Sequence, residues 1–132
     1  MTERLVCDSS AVVALLVDSG ADGGWAAAAL AAADLAAPAL MPFEAANVIR
    51  RLEHAGRISP DQGAQAHHDL LDLAIEQWPY EPLAPRAREL GRNLTTHDAS
   101  YVALAELLGA ALVSLDRRLR GAPDLRCEVR TP

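Results

Sequence analysis

The stretch RLVCDSSAVVALLV, residues 4–17, decides the fold class. Its first four residues are apolar apart from Arg4 and predict a short buried strand, and Asp8-Ser9-Ser10 then predicts a helix cap. The apolar run over residues 11–17 predicts a helix that packs on this strand. A strand that passes directly into a helix is typical of an α/β protein, in which helices connect parallel strands.

The rest of the chain repeats this alternation. Further strands or extended segments are predicted over residues 35–37, 78–83, 111–115 and 127–129. Helices are predicted over residues 25–33, 43–55, 59–74, 87–90, 97–108 and 117–120, with a break at residues 20–24. Right-handed crossovers would place the helices on both faces of a mostly parallel sheet. A length of 132 residues predicts a single domain spanning residues 1–132.

The composition argues against several classes of protein. A formal net charge of −6 argues against a protein that coats nucleic acid. The longest apolar run, residues 25–33, is too short to span a membrane, and the first residues lack the apolar core of a signal peptide. Cys7 and Cys127 predict neither a disulfide framework nor a zinc site. We therefore expect a soluble cytoplasmic protein with reduced thiols.

Four acidic residues lie where a predicted strand ends or a helix begins. Asp8 follows the first strand, Asp116 ends the fourth, and Asp98 starts the helix that leads into the fourth. Glu44 lies in the first turn of the helix behind Pro42. Since ligands of an open α/β sheet bind beyond the carboxyl ends of the strands, we expect these carboxylates to converge there.

Converging carboxylates require protons or a cation. Two of them about 4 Å apart repel by about 4 kcal/mol at an effective dielectric constant of about 20. Oxygen ligands without histidine or cysteine select Mg²⁺ or Mn²⁺ over Zn²⁺. Such an ion can activate a water molecule for attack on a phosphodiester. The four acids therefore predict a metal-dependent hydrolase.

Each acid taken alone also has a simpler explanation. Asp8 could be a helix cap, and Glu44 and Asp98 could be first-turn acids that complement a helix dipole. Asp116 could form a surface ion pair with Arg117 or Arg118. The prediction of a site therefore depends on the four residues as a set.

Four motifs resemble those of the PIN-domain ribonucleases, and especially of the VapC toxins of bacterial toxin–antitoxin pairs. They are VCDSSAVVALL (residues 6–16), FEAANVIRR (residues 43–51), HDASYVALAE followed by LGA (residues 97–110) and SLDRRL (residues 114–119). The motifs occur in the family's order and spacing and cover nearly the whole chain. His97 is a departure, because many relatives have tyrosine there, and we expect it to be a solvent-exposed residue.

The resemblance implies specific assignments. The acidic tetrad of Asp8, Glu44, Asp98 and Asp116 would be catalytic, with Asp8, Asp98 and Asp116 as ligands of Mg²⁺ or Mn²⁺. Asn47 and Ser114 would be supporting residues that orient the acids or a bound water. The implied fold is a PIN-like, mostly parallel five-stranded sheet flanked by helices on both faces. The implied partners are an RNA substrate, commonly tRNA or rRNA, a second copy in a homodimer, and a small VapB antitoxin.

The arginines beside Asp116 have two interpretations. All 12 basic residues of the chain are arginine, and Arg117 and Arg118 follow Asp116 directly. They could bind RNA phosphates beside the site, which makes them candidate substrate-binding residues. Alternatively, they belong to a solvated face and pair with nearby acids.

We therefore expect a metal-dependent endoribonuclease, in which a metal-activated water attacks the phosphorus and leaves a 3′-hydroxyl and a 5′-phosphate. A phosphoacceptor domain with Asp8 as the phosphorylated residue is disfavoured, because such domains need a lysine and this chain contains none. The alternative that stays open is a catalytically inactive PIN-like scaffold that binds a protein partner. The presence of all four acids argues against that alternative.

Overall fold

The computed structural model describes residues 2–132, in which five strands form one sheet. The strands are β1 (Arg4–Cys7), β2 (Asp34–Pro38), β3 (Ile75–Trp78), β4 (Ala111–Val113) and β5 (Val129–Arg130). Their order across the sheet is β3-β2-β1-β4-β5, and all four pairings are parallel. The predicted parallel α/β fold is confirmed.

The strands are connected by helices that fall into two groups. The helices are α1 (Ser9–Val17), α2 (Ala21–Leu30), α3 (Met41–His54), α4 (Pro60–Asp72), α5 (Ala84–Leu90) and α6 (Thr96–Leu108), followed by a 3₁₀ helix (Arg117–Gly121). The first two connections move along the sheet in one direction, and the connection through α5 and α6 moves in the opposite direction. Right-handed crossovers therefore place α5 and α6 on the face opposite α1–α4. Among the described helices, none is long and apolar enough to cross a membrane.

The centre of the sheet is fully buried. Leu5, Val6 and Cys7 of β1 are buried, and α6 packs against β1, β2 and β4. Strands covered on both faces are apolar at successive positions, which is why β1 lacks the alternation of a half-exposed strand. Burial raises the pKa of the Cys7 thiol to about 12, so this cysteine stays protonated and inert.

The predicted break at residues 20–24 is wrong, because α2 begins at Ala21 and contains both Gly23 and Gly24. A Cβ atom on Gly23 would lie 1.8 Å from the carbonyl oxygen of Asp18. Glycine at this position therefore permits the close approach of α1 and α2 and does not end a helix. The pattern of glycines alone does not separate these two roles.

The predicted extended segment at residues 78–83 is also displaced. The third strand ends at Trp78, and residues 80–83 form a turn in which the Leu83 N–H donates to the Tyr80 carbonyl at 2.8 Å. The strand predicted over residues 111–115 ends at Val113. The last strand starts at Val129, two residues after the predicted start. None of these shifts changes the order of elements.

Candidate active site

The direction of chain progression reverses between β1 and β4, which are neighbours in the sheet. At such a point the connections leave the two strands on opposite faces and open a crevice at their carboxyl ends. Asp8 follows β1 directly, and Ser114 follows β4 directly. The helices α3 and α6, which carry Glu44 and Asp98 in their first turns, begin at this same edge. This topology therefore places the four acids at the carboxyl edge of the sheet.

Asp8 is a buried carboxylate held by hydroxyl groups. Its exposure is only 8%, and its Oδ2 accepts hydrogen bonds from Ser114 Oγ at 2.7 Å and Ser10 Oγ at 3.2 Å. It occupies the N-cap position of α1, yet its side chain makes no capping hydrogen bond there. Asp8 is therefore the N-cap residue by position, as predicted, but its side chain binds the two serines and does not cap the helix. The two serines satisfy a buried polar group that would otherwise be costly.

The same two serines join the ends of β1 and β4. Ser114 Oγ accepts from the backbone N–H of Asp116 at 3.0 Å, and Ser10 Oγ accepts from the backbone N–H of Leu115 at 3.0 Å. The chain after β4 is thereby tied to the start of α1. This network fixes the backbone that carries Asp116 relative to Asp8.

Glu44 is bound by groups from α6. Its Oε1 accepts a hydrogen bond from the Tyr101 hydroxyl at 2.6 Å, and its Oε2 lies 3.5 Å from His97 Nδ1. Burial raises the pKa of Glu44; the Tyr101 hydrogen bond and His97 oppose that rise, and the charges of Asp8 and Asp98 add to it. His97 is exposed to solvent, as predicted.

Asp98 lies in the first turn of α6 behind the cap Thr95, whose Oγ1 accepts from the Asp98 backbone N–H at 3.2 Å. Burial raises the pKa of the Asp98 carboxyl, and the charges of Asp8 and Asp116 raise it further. The structure therefore brings Asp98 within electrostatic range of both acids. Carboxylates that repel one another in this way favour a proton or a cation between them.

Asp116 is paired with Arg118. The guanidinium donates from Nε to Oδ1 at 3.0 Å and from Nη2 to Oδ2 at 2.9 Å, and it lowers the pKa of the Asp116 carboxyl. The ion pair that sequence analysis offered as a simpler explanation is thus present. It lies beside an open cavity of about 400 Å³ that Asp98 and Thr95 also line. Two of the four acids therefore face one cavity.

The acids fit a hard divalent ion by chemistry, although they are not gathered around one point. Across residues 2–132 no three acidic, histidine or cysteine side chains are close enough to hold an ion as they stand. Arg118 instead occupies Asp116, and Tyr101 occupies one oxygen of Glu44. The donor set consists of carboxylate oxygens, which Mg²⁺ and Mn²⁺ prefer.

The other predicted residues divide into two groups. Ser114 contacts Asp8, as a supporting residue should. Asn47 is exposed, and its side-chain oxygen accepts hydrogen bonds from Arg50 at 3.3 and 3.2 Å. Arg117 donates to the carbonyl of Pro132 at 3.0 Å. The structure thus joins Ser114 to the acids and gives Asn47 and Arg117 other partners.

Sequence reasoning missed three residues that contact the acids. Ser9, whose Oγ donates to Asp8 Oδ1 at 3.4 Å, and Ser10 were assigned only to a helix cap, and Tyr101 only to the apolar face of its helix. The spacing holds a usable signal, because Tyr101 follows Asp98 by three residues and so lies on the same face of α6. A buried tyrosine needs a partner for its hydroxyl, which points to a polar group near Asp98.

Comparison with known proteins identifies the family of this chain. Residues 5–125 match the PIN domain family. The chain is 37% identical over 125 residues to Ribonuclease VapC9 of Mycobacterium tuberculosis, covering 95% of each chain. The structure of PAE2754 from Pyrobaculum aerophilum is similar with a TM-score of 0.68 and 27% identity, covering 97% of this chain and 83% of that one.

The fold is also similar to a chain in the crystal structure of VapBC2 from Rickettsia felis bound to a DNA fragment from their promoter. The TM-score is 0.66 at 13% identity, with coverage of 96% of this chain and 98% of the other. A likeness at this identity concerns the fold. The match to the family and the identity to VapC9 over nearly the whole length carry the assignment. The chain therefore belongs to the PIN-domain family and, within it, to the VapC ribonucleases.

Proposed function

We propose that this protein is an Mg²⁺- or Mn²⁺-dependent endoribonuclease and the toxin of a VapBC-type pair. Its catalytic residues are Asp8, Glu44, Asp98 and Asp116, and its metal ligands are Asp8, Asp98 and Asp116. The observation that carries the proposal is the position of these acids at one edge of the sheet, where Ser114 links Asp8 to the backbone of Asp116. Burial there raises the pKa of Glu44 and Asp98, and the charge of Asp8 adds to both rises. A protein keeps such a cluster at a cost in stability, which is typical of a functional site.

Asp8 is the anchor of the site. Its burial and its bonds to Ser114 and Ser10 leave it one orientation, so its charge is fixed before substrate binds. A divalent ion at these carboxylates would offset the charge that develops on the phosphate and lower the pKa of a water molecule. Preorganised charges of this kind contribute most to catalysis because they need no rearrangement during the reaction.

We assign to Glu44 the removal of a proton from the attacking water at its Oε2 atom. The burial that raises the pKa of Glu44 makes it a stronger base than an ordinary carboxylate. Its Oε1 is engaged by Tyr101, which leaves Oε2 as the free acceptor apart from the exposed His97. The product of water attack is a 5′-phosphate and a 3′-hydroxyl.

Arg118 is proposed to contact substrate after leaving Asp116. Its side chain is 88% exposed, and exposed ion pairs contribute little to stability, so the exchange of partners costs little. The freed guanidinium can bind a phosphate of the RNA with two parallel hydrogen bonds. Arg117 is proposed as a second phosphate contact and Asn47 as a supporting residue of the metal site.

Membership of the VapC family supports the remaining proposals. These are a tRNA or rRNA substrate, a VapB-like antitoxin that blocks the site, a homodimer, a cytoplasmic location, and a single domain over residues 1–132. No observation favours the inactive scaffold.

The direct test is cleavage of purified tRNA and rRNA under three conditions. These are the wild type with Mn²⁺, the wild type with EDTA, and Asp8→Asn with Mn²⁺. We expect cleavage with 5′-phosphate ends in the first condition only. Asp61→Asn, the same change at an exposed acid of α4, is the matched control and should cleave like the wild type. Equal cleavage by Asp8→Asn would contradict the proposal, and so would a wild type that cleaves none of these RNAs.

A further inference from the structure

Tyr101 is a core residue with a polar contact that its packing does not require. It is only 1% exposed, and its ring lies among the buried residues of α6. Its hydroxyl donates to Glu44 Oε1 at 2.6 Å, across 57 positions of sequence. Short hydrogen bonds to an ionised acceptor are about twice as strong as neutral ones. The contact therefore ties the first turn of α3 to α6.

The position of Tyr101 on its helix relates it to Asp98. The two residues are three apart on α6 and share a face, so one helix presents a carboxylate of its own and also holds a carboxylate of α3. On the basis of the proposed function, we propose that Tyr101 is a positioning residue that fixes the Glu44 carboxylate through Oε1 and so aims Oε2 at the reacting water.

The chemistry of the donor suits this role. A phenol holds a carboxylate without cancelling its charge, whereas the guanidinium of Arg118 neutralises Asp116. Burial raises the pKa of the Tyr101 hydroxyl, and the hydrogen bond to Glu44 and the charge of Glu44 add to the rise, so the group stays protonated and keeps the hydrogen that it donates to Glu44. A neutral donor therefore fixes the direction of the Glu44 carboxylate without adding a compensating charge.

The alternative is that the Tyr101 hydroxyl bonds Glu44 only because a buried hydroxyl needs a hydrogen-bond partner, and that the bond serves stability alone. Tyr101→Phe separates the two, because phenylalanine fills the same space and removes only the donor. The Glu44 side chain is 26% exposed, so water can take the place of the lost donor and folding is little affected. The substitution therefore tests orientation with the fold intact.

The first measurement needs neither metal nor RNA. Carbon-13 relaxation of the Glu44 side chain in the metal-free protein reports its picosecond-to-nanosecond mobility. We expect a rigid side chain in the wild type and a clearly more mobile one in Tyr101→Phe. Tyr80→Phe, the same change at a half-exposed tyrosine after β3, is the control and should leave Glu44 rigid. Unchanged mobility in Tyr101→Phe overturns the inference.

The second measurement is a double-mutant cycle of RNA cleavage with Tyr101→Phe and Glu44→Gln. Tyr101→Phe should lower kcat about tenfold and change KM less than about twofold, since positioning acts on the chemical step. In the Glu44→Gln background the same change should alter kcat less than about twofold, because the two residues act as a unit. Equal losses in both backgrounds, or no loss in either, overturn the inference. A different outcome is a wild type that does not cleave RNA while Tyr101→Phe still increases the mobility of Glu44. That result would contradict the proposed function, but it would support the positioning of Glu44 by Tyr101.

Discussion

Ser114 donates a 2.7 Å hydrogen bond to Asp8 and accepts one of 3.0 Å from the backbone of Asp116. One fully buried hydroxyl therefore connects two acids that are 108 positions apart in the chain. It does so where β1 and β4 end side by side, which is where the topology opens the crevice. The orientation of the candidate site thus depends on a serine that carries no charge.

Ser114→Ala should weaken cleavage and folding together. Asp8 loses its shortest hydrogen bond, and the backbone N–H of Asp116 loses its acceptor, which costs about 1–3 kcal/mol of unfolding free energy. We expect cleavage to fall about tenfold or more, because a misplaced anchor weakens every interaction in the site. Urea denaturation and cleavage rates measure the two effects.

Ser100→Ala is the control for this change. Ser100 is equally buried, but its hydroxyl donates to the carbonyl of Thr96 within α6 at 2.7 Å. The Ser100→Ala variant should have a lower free energy of unfolding than the wild type and the same affinity for Mn²⁺, whereas Ser114→Ala should bind Mn²⁺ more weakly. A Ser114→Ala variant whose Mn²⁺ affinity matches that of Ser100→Ala would count against the anchoring role.

Arg118→Ala should bind Mn²⁺ more tightly than the wild type. The guanidinium occupies both oxygens of Asp116, so it competes with a cation for the same ligand. An exposed ion pair is weak, so we expect a gain of up to about fivefold in affinity. Arg117→Ala removes the same charge from a residue bound to Pro132, and it should change the affinity much less. Calorimetric titration measures both variants, and equal gains would show that only net charge matters.

Asp98→Asn should stabilise the metal-free protein at neutral pH. The folded pKa of Asp98 is raised above its ordinary value of 3.8, so the folded state binds the proton more tightly than the unfolded state. The corresponding stability is fully present below 3.8 and is lost as the pH rises through the raised folded pKa. The dipole of α6 favours the charged form by about 0.3–1 kcal/mol, and the upward shift means that burial and repulsion outweigh it.

The expected result is a higher melting temperature for Asp98→Asn than for the wild type at neutral pH, without metal. The difference should shrink towards acidic pH, where the wild-type carboxyl is protonated. Added Mn²⁺ should stabilise the wild type and leave Asp98→Asn unaffected. A variant that melts below the wild type at neutral pH would contradict the raised pKa.

Gly23→Ala should destabilise the fold by about 1–3 kcal/mol, the usual cost of overpacking. Its new Cβ would meet the carbonyl of Asp18 at 1.8 Å, and backbone yields less than a side chain. Gly24→Ala adds the same methyl group one residue later, where no atom lies within 4 Å. It should stabilise α2 by about 0.5–1 kcal/mol because alanine favours helices. Thermal melting of the two variants should therefore give shifts of opposite sign.

The sequence was sufficient to predict the α/β class because each central strand is apolar throughout and is followed by a helix signal. The position of Asp8 followed from that pattern, since an acid directly after a buried strand lies at the carboxyl edge. The prediction of a break over residues 20–24 misplaced the start of α2. A glycine that allows close packing and a glycine that ends a helix cannot be distinguished from the sequence. The difference lies in what the residue touches.

The sequence was sufficient to predict which acids belong to the candidate site, but not which contacts they make with one another. Asp116 could be placed after β4, but its pairing with Arg118 depends on rotamers that a sequence does not specify. Tyr101 was assigned to the core from helical spacing, and its ring is there. Its bond to Glu44 requires the first turn of α3 to lie beside the second turn of α6, and that placement is a consequence of strand order.

We propose that these separated acids form one divalent-ion site. The affinity of the protein for Mn²⁺ is the direct test of that site. Mn²⁺ is titrated into protein freed of metal, and calorimetry or electron paramagnetic resonance detects the binding. We expect binding to the wild type and to Asp61→Asn. Asp8→Asn and Asp98→Asn should each lose at least about tenfold in affinity, because each removes a charged ligand. Wild-type affinity in both Asp8→Asn and Asp98→Asn would contradict the account.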